Sequence, residues 1–328
     1  MTLGAVLSTP TTVFVPQKLL SAYKEANNWK DMTERILPIG VTTECNVSVS
    51  AQENTSNLAY KIGEDNLEYI MSLTLSGTIN SYDFIVLRNK MPNLHHLDMT
   101  NVSIVANAAN YYETYHTSNN TLGQCCFKDM KKLLTVKLPK TIKEIEMDAF
   151  IDCTNLESVE FQEGIETIGQ GAFYECYNLR SAEMKSGLVT IGRSAFNRCS
   201  RLKNVVIPEG VQTIVEYAFY GCSTIDYIDV PKGVKTIKEY AFSYCSNLKK
   251  VNIDAGCEYI GGYSFCGCSN LEKVVIAEGV KTIGGSAFAG CGKLTSVQLP
   301  TTLISIGGSA FAGTNLLSLT LPSNLTTI

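Results

Sequence analysis

Phenylalanine recurs along this chain every 23 residues, at Phe127, Phe150, Phe173, Phe196, Phe219, Phe242, Phe265, Phe288 and Phe311, with no insertion or deletion between them. The same interval carries an isoleucine column (Ile145, Ile168, Ile191, Ile214, Ile237, Ile260, Ile283, Ile306) and a cysteine column (Cys153, Cys176, Cys199, Cys222, Cys245, Cys268, Cys291). Self-similarity at a fixed period of this length marks stacked supersecondary units. In the unit IGRSAFNRCSRLKNVVIPEGV, residues 191 to 211, Val205 and Ile207 alternate as on one face of a strand, following Leu202. Pro208 and Gly210 then punctuate a turn, and a second extended run is expected from Val211 through Ile214 to Ala218 and Phe219. Glycine recurs at 164, 187, 210, 233, 256 and 279, as expected where the backbone needs a positive φ or a close approach.

One such unit cannot bury its own apolar face, but stacked units lay Leu on Leu, Ile on Ile and Phe on Phe. The pattern therefore predicts a β-rich repeat solenoid with parallel strands. At about 4.8 Å between strands, its nine turns extend on the order of 40 Å. Residues 122–328 form the regular array, which stops part-way through a repeat; 66–121 read as irregular opening repeats, and 41–65 as a strand and linker. Residues 11 to 36 read as a short strand and an amphipathic helix, with Pro16 near its start and Leu20, Tyr23 and Trp29 as packing residues. This strand-helix segment, within residues 1–40, is either a cap on the first repeats or the end of an upstream array.

Composition narrows the function. Hydrophobic residues make up 45% of the chain, enough for a continuous core, and the formal net charge of -4 comes with no block of Lys and Arg, so nucleic acid is not an expected partner. No apolar run is long enough to span a bilayer, and the opening MTLGAVLSTP lacks the basic leader and apolar segment of a signal peptide.

The pattern I-G-x-x-A-F-x-x-C-x-x-L-x-x-V-x-I-P-x-G-V resembles the BspA-like class of leucine-rich repeat. Residues 122 to 328 carry the resemblance closely, and Leu67 to Ile104 are similar to the less regular opening repeats of such proteins. The resemblance implies a right-handed curved solenoid, a place at the cell surface or secreted, and roles in adhesion and recognition. It brings no catalytic residues. The V-P...Y...W segment at the N terminus resembles ones that close repeat arrays in this family, and here it comes first.

The cysteine ladder is the largest set of chemically capable side chains. Thiols one turn apart with parallel Cα–Cβ vectors suit neither a tetrahedral metal site nor a disulfide. Buried, reduced thiols acting as small apolar groups are the expected state. Cys125, Cys126 and Cys266 stand outside the ladder, and Cys266, one place after a Phe, is expected to be partly exposed. With histidine only at His95, His96 and His116, no thiol has a sequence neighbour to activate it. His95 and His96, between inward Leu94 and Leu97, offer too few ligands for a metal. The Asn-x-Ser/Thr triplets at Asn46, Asn54, Asn101, Asn119 and Asn324 are acceptors only in a eukaryotic secretory route. No cofactor and no enzymatic activity are expected.

Two columns are candidates for contact with a partner. On the leucine strand the outward positions include Arg180, Lys203, Tyr227, Lys250 and Lys273, a mixture that a solvated face also explains. Two residues before the Phe, consecutive turns present Tyr217, Tyr240 and Tyr263, expected to be open to solvent and stacked along one side. Such rings suit sugars and protein interfaces alike, or simply cover the edge of the ladder. Two functions follow: a recognition and adhesion module binding a host or neighbouring-cell protein or a glycan, or a structural spacer displaying other domains.

Overall fold

The computed structural model describes residues 13–15, 19–26, 36–38 and 43–328. It is a parallel-strand solenoid in which each 23-residue turn has three sides. The leucine strand comes first, as at Tyr227–Val230, Lys250–Ile253 and Lys273–Ile276. These strands pair in parallel with a register of one repeat, Tyr227 on Lys250 on Lys273. Ile228, Val230, Val251 and Ile253 point inward and are buried, following the two-residue alternation of a pleated strand. A turn then leads to the isoleucine strand, which holds only two residues, as at Thr213–Ile214 and Thr236–Ile237. The third side is a pair of tight turns that carries the Phe and Cys columns.

The second extended run is therefore shorter than the sequence pattern predicts. The reason lies in the backbone: the residue two before each Phe is left-handed in every turn. Cys125, Asp148, Gly171, Ser194, Tyr217, Tyr240, Tyr263, Ser286 and Ser309 all have φ between 54° and 60°. A residue with positive φ turns the chain out of the strand. The second residue after each Phe is left-handed as well, as at Asp152, Arg198 and Tyr244. The glycine column meets two needs. A Cβ on Gly233 or Gly256 would collide with the backbone carbonyl of Glu209 or Lys232 in the preceding turn, while Gly164 and Gly279 have φ of 92° and 118°, so the column serves close approach at some turns and positive φ at others.

The core is one continuous cluster running from Val49 to Ala310. Eight of the nine column phenylalanines are fully buried; Phe311 is half-buried. Their rings stack face to face, with centroids 5.1 Å apart at Phe127–Phe150 and 5.3 Å at Phe242–Phe265. The last turn is one residue short: Pro208, Pro231 and Pro300 follow their Phe by twelve positions, Pro322 follows Phe311 by eleven. As a result Leu316 packs against the core while Leu317 is 97% exposed.

The opening turns are irregular. The stretch read as strand and linker contains strand Glu44–Val49, which pairs in parallel with Ser72–Ile79, and helix Asn57–Ile62. Its strand thus joins the first sheet of the solenoid. Helix Ser81–Asn89 has a capping box made by Asn80 and Asp83. Fully buried Asp83 also accepts hydrogen bonds from Ser56 Oγ (2.7 Å) and the Leu58 amide (3.2 Å), tying the two helices together. An antiparallel hairpin, Asn107–Tyr112 with Tyr115–Thr117, precedes the regular array.

At the N terminus, strand Val13–Val15 pairs in parallel with Ile36–Pro38, and helix Leu20–Glu25 lies between them in sequence. The second strand was not announced by the hydrophobic pattern. Val15, Ile36 and Leu37 are buried, whereas the helix buries none of its residues; Leu20 and Tyr23 are half-buried. Pro16 and Trp29, expected at the start of the helix and in its packing, lie outside the described residues.

Candidate functional site

Each ladder cysteine from Cys153 to Cys291 is fully buried and free. Besides filling space, its thiol donates to the carbonyl of the Phe in the preceding turn: Cys153 Sγ to Phe127 O is 2.9 Å and Cys245 Sγ to Phe219 O is 3.3 Å. The 26-residue offset crosses one turn, so the bond staples neighbouring repeats; the sequence pattern suggested packing and missed this bond. Burial pushes the Cys153 and Cys291 thiols up to about 12 and raises the others of the column too. A thiol held protonated is a poor nucleophile and metal ligand. Cys266 is half-buried, as its position predicts, and Cys125 and Cys126 are buried. Among the described residues, no group of three or more His, Cys, Asp and Glu side chains converges on a point. His96 is exposed, its Nδ1 2.9 Å from Thr135 Oγ1.

The tyrosine column is a stack. Tyr217 and Tyr240 have ring centroids 4.8 Å apart with planes 3° from parallel, and Tyr240 and Tyr263 repeat the geometry at 4.8 Å and 4°. Left-handed backbone at all three aims the rings the same way, turn after turn. The expectation that this column is open to solvent needs correction: Tyr217 and Tyr240 are half-buried, and only Tyr263, at 42%, is exposed. Stacking is the cause, since each ring covers its neighbour. The Arg193 guanidinium covers the outer face of Tyr217, 5.6 Å from the ring centroid. What solvent meets is a row of ring edges and hydroxyls, plus the outer face of Tyr263. Burial and the flanking Tyr217 and Tyr263 raise the phenol pKa of Tyr240, keeping its hydroxyl protonated as a donor.

Two further tyrosines enlarge the patch. Tyr220 lies 5.7 Å from Tyr217, and Tyr244, 53% exposed, meets Tyr220 edge-on at 5.4 Å. They belong to the first and second positions after the Phe, so a search of a single column overlooks them. Ordering columns by distance from the Phe on both sides would have found them.

The leucine-strand candidates form a separate set. Lys250 Nζ sits 5.3 Å from the centroid of the Tyr227 ring, and Asn252 Nδ2 donates to Tyr227 Oη (2.6 Å) and Asp229 Oδ1 (2.7 Å). Arg180 faces Glu157 at 3.6 Å, and Lys203 and Lys273 are exposed. The eight residues thus divide between an aromatic patch on the Phe side and a mixed polar strip on the leucine strands. Neither set holds an acid, base and nucleophile in mutual reach.

Comparison with known proteins agrees with this geometry. The family described as BspA type leucine-rich repeat region matches residues 106–226 and 212–328, in six copies. No curated protein matches. Among solved structures, a leucine-rich repeat protein from Eubacterium ventriosum is 19% identical, covering 87% of this chain and 88% of its own, with a TM-score of 0.42. The leucine-rich repeat protein of T. pallidum is 26% identical over 55% of this chain and 76% of its own, TM-score 0.40. A leucine-rich cell surface protein from Faecalibacterium prausnitzii is 23% identical over 66% and 80%, TM-score 0.32. With the family match spanning more than half its length and the repeat geometry in place, this chain belongs to the BspA-type leucine-rich repeat family.

Proposed function

We propose that this chain is a non-enzymatic recognition module, at the cell surface or secreted, that holds a partner on the side of its solenoid. The observation that carries the proposal is the patch of Tyr217, Tyr220, Tyr240, Tyr244 and Tyr263. Rigid aromatic side chains with hydroxyl tips lose little conformational freedom on binding and dominate protein interfaces. Because stacking occupies most ring faces, a partner meets edges and hydroxyls, which favours a protein over a sugar that needs a free face. The outer face of Tyr263 leaves one place for a sugar ring. The family, and the description of one similar protein as a cell surface protein, support the reading.

The purified chain, probed against an array of host glycans and extracellular matrix proteins, is expected to capture a protein. Substituting Tyr217→Ser, Tyr240→Ser and Tyr263→Ser together should abolish that capture. Unchanged binding by the triple variant would remove the patch from the site. Absence of binding by the parent chain would favour the second reading, a spacer displaying other domains, which the unbroken stack of phenylalanines also suits.

A further inference from the structure

On the two strand sides of the solenoid, the hydrogen-bonded ladder stops at one and the same turn. The isoleucine strands form one sheet that ends at Thr190–Ile191 and another that begins at Thr213–Ile214. The leucine strands form one sheet ending at Ser181–Ala182 and another beginning at Tyr227–Val230. The backbone bonds repeat the point. The amide of Val189 donates to Glu166 O, and those of Lys235, Glu258, Lys281 and Ile304 each donate to the residue 23 before. Among the described residues the matching bond from Gln212 to Val189 is missing. Likewise Gly192 donates to Ile168 O and Lys238 to Ile214 O, while the bond from Val215 to Ile191 is missing.

The Phe side is continuous through this turn. Ser194, Phe196 and Arg198 amides donate to Glu216 O (3.1 Å), Ala218 O (2.9 Å) and Tyr220 O (2.7 Å). Cys222 Sγ, Ser223 Oγ and Thr224 Oγ1 reach back to Phe196 O, Ser200 O and Leu202 O at 3.1, 3.1 and 2.9 Å. Thus the Phe edge is fully stitched, the isoleucine side is open, and the leucine side keeps the bond from the Lys203 amide to Arg180 O (3.1 Å) but no strand pairing.

The residues explain the gap. Asn204 has φ 53°, whereas its counterparts Ser181, Tyr227, Lys250 and Lys273 lie in strands. Asn tolerates the left-handed conformation, and there it turns the following N–H away from the ladder. The adjacent turn offers Ala182 where others hold Val or Ile.

We propose that residues 183–213 form an articulation, about which the C-terminal turns flex against the N-terminal ones with the Phe side as the hinge. Stacked repeats bend where nearest-neighbour coupling is weakest. Lys203 rides on the articulated turn, Arg180 lies on one side, and Tyr227, Lys250 and Lys273 on the other. Flexing changes the curvature of the leucine-strand face and the spacing of these groups, while the tyrosine stack, wholly on the C-terminal side, moves as a rigid unit.

Two measurements on the full chain test this. In native-state hydrogen exchange, the amides of residues 204–207, Gln212 and Val215 should exchange at least about tenfold faster than those of residues 227–230, Lys235 and Lys238. Spin labels then separate a frayed segment from a hinge. With Cys45→Ser and Cys266→Ser removing the half-buried thiols, labels at Glu160→Cys and Asp229→Cys lie three turns apart across the gap. Labels at Asp229→Cys and Gln298→Cys lie three turns apart within the C-terminal stack. The first pair should give the broader distance distribution. Equal widths, whatever the exchange rates, or equal exchange rates, would overturn the articulation.

Discussion

Tyr240 offers a measurement in which backbone strain and ring stacking can be separated. Its φ is 59°, and both faces of its ring are stacked at 4.8 Å. Two aromatic contacts contribute roughly 0.5–1.5 kcal/mol each, and half-burial of the ring adds about 1 kcal/mol. Tyr240→Ala removes these terms but keeps a Cβ in the left-handed region, where it costs about 1–2 kcal/mol. A loss of about 2–4 kcal/mol is expected. Tyr240→Gly removes the same contacts and also the strain, and should be more stable than the alanine variant by about 1 kcal/mol. The natural occurrence of Gly171, φ 60°, at the same place in another turn shows that the repeat accepts glycine there. Urea titrations of both variants, compared at equal m, read the difference. An alanine variant as stable as the glycine variant, or more stable, would refute the claim that left-handed strain is stored at this tyrosine.

The other predictions concern the core and its charges. Phe242→Ala should cost about 3–5 kcal/mol, and Phe311→Ala distinctly less, because Phe311 is half-buried and has one stacking partner; thermal melts of the two variants compare them. Cys245→Ala should cost about 1 kcal/mol by removing the thiol donor to the Phe219 carbonyl, which keeps its bond from the Cys222 amide, and Cys245→Ser should recover part of that loss. A thiol reagent added to the native chain should modify Cys45 and Cys266 first among the described cysteines, and the ladder only after denaturation. Glu175 accepts from Tyr177 and pairs with Arg198 at 2.7 Å, which lowers its pKa. Its stabilising effect is therefore present above the unfolded carboxyl value of about 4.3 and is lost as pH falls through the lower folded value. Glu175→Gln should remove up to about 1 kcal/mol at neutral pH, since Arg198 is half exposed, and nothing at low pH; melts at pH 7 and pH 2 decide.

The interval of 23 residues was sufficient to predict stacked turns, the buried Phe, Ile and Cys columns and the inward faces of the leucine strands. A strict period allows one interior solution, in which identical side chains lie over each other. Which side chains lie on the outside was harder to read. The tyrosine column was visible as a row, but its exposure was not, because a ring that stacks on its own copy buries the surface that the pattern assigns to solvent. Tyr220 and Tyr244 join it only through the way the tight turns bring three columns together.

Backbone conformation made the remaining decisions. Ser, Tyr, Asp, Cys and Gly share one left-handed position two residues before the Phe, so residue type there does not announce it. Asn204 keeps the 23-residue phase and still breaks the ladder, since period records spacing and not the direction in which an N–H points. The sequence by itself therefore determined the core of the regular array, because hydrophobic burial depends on which residues recur. The tertiary structure decided where the ladder opens and which ring faces stay free, because hydrogen bonds and stacking depend on the orientation of neighbours one turn away.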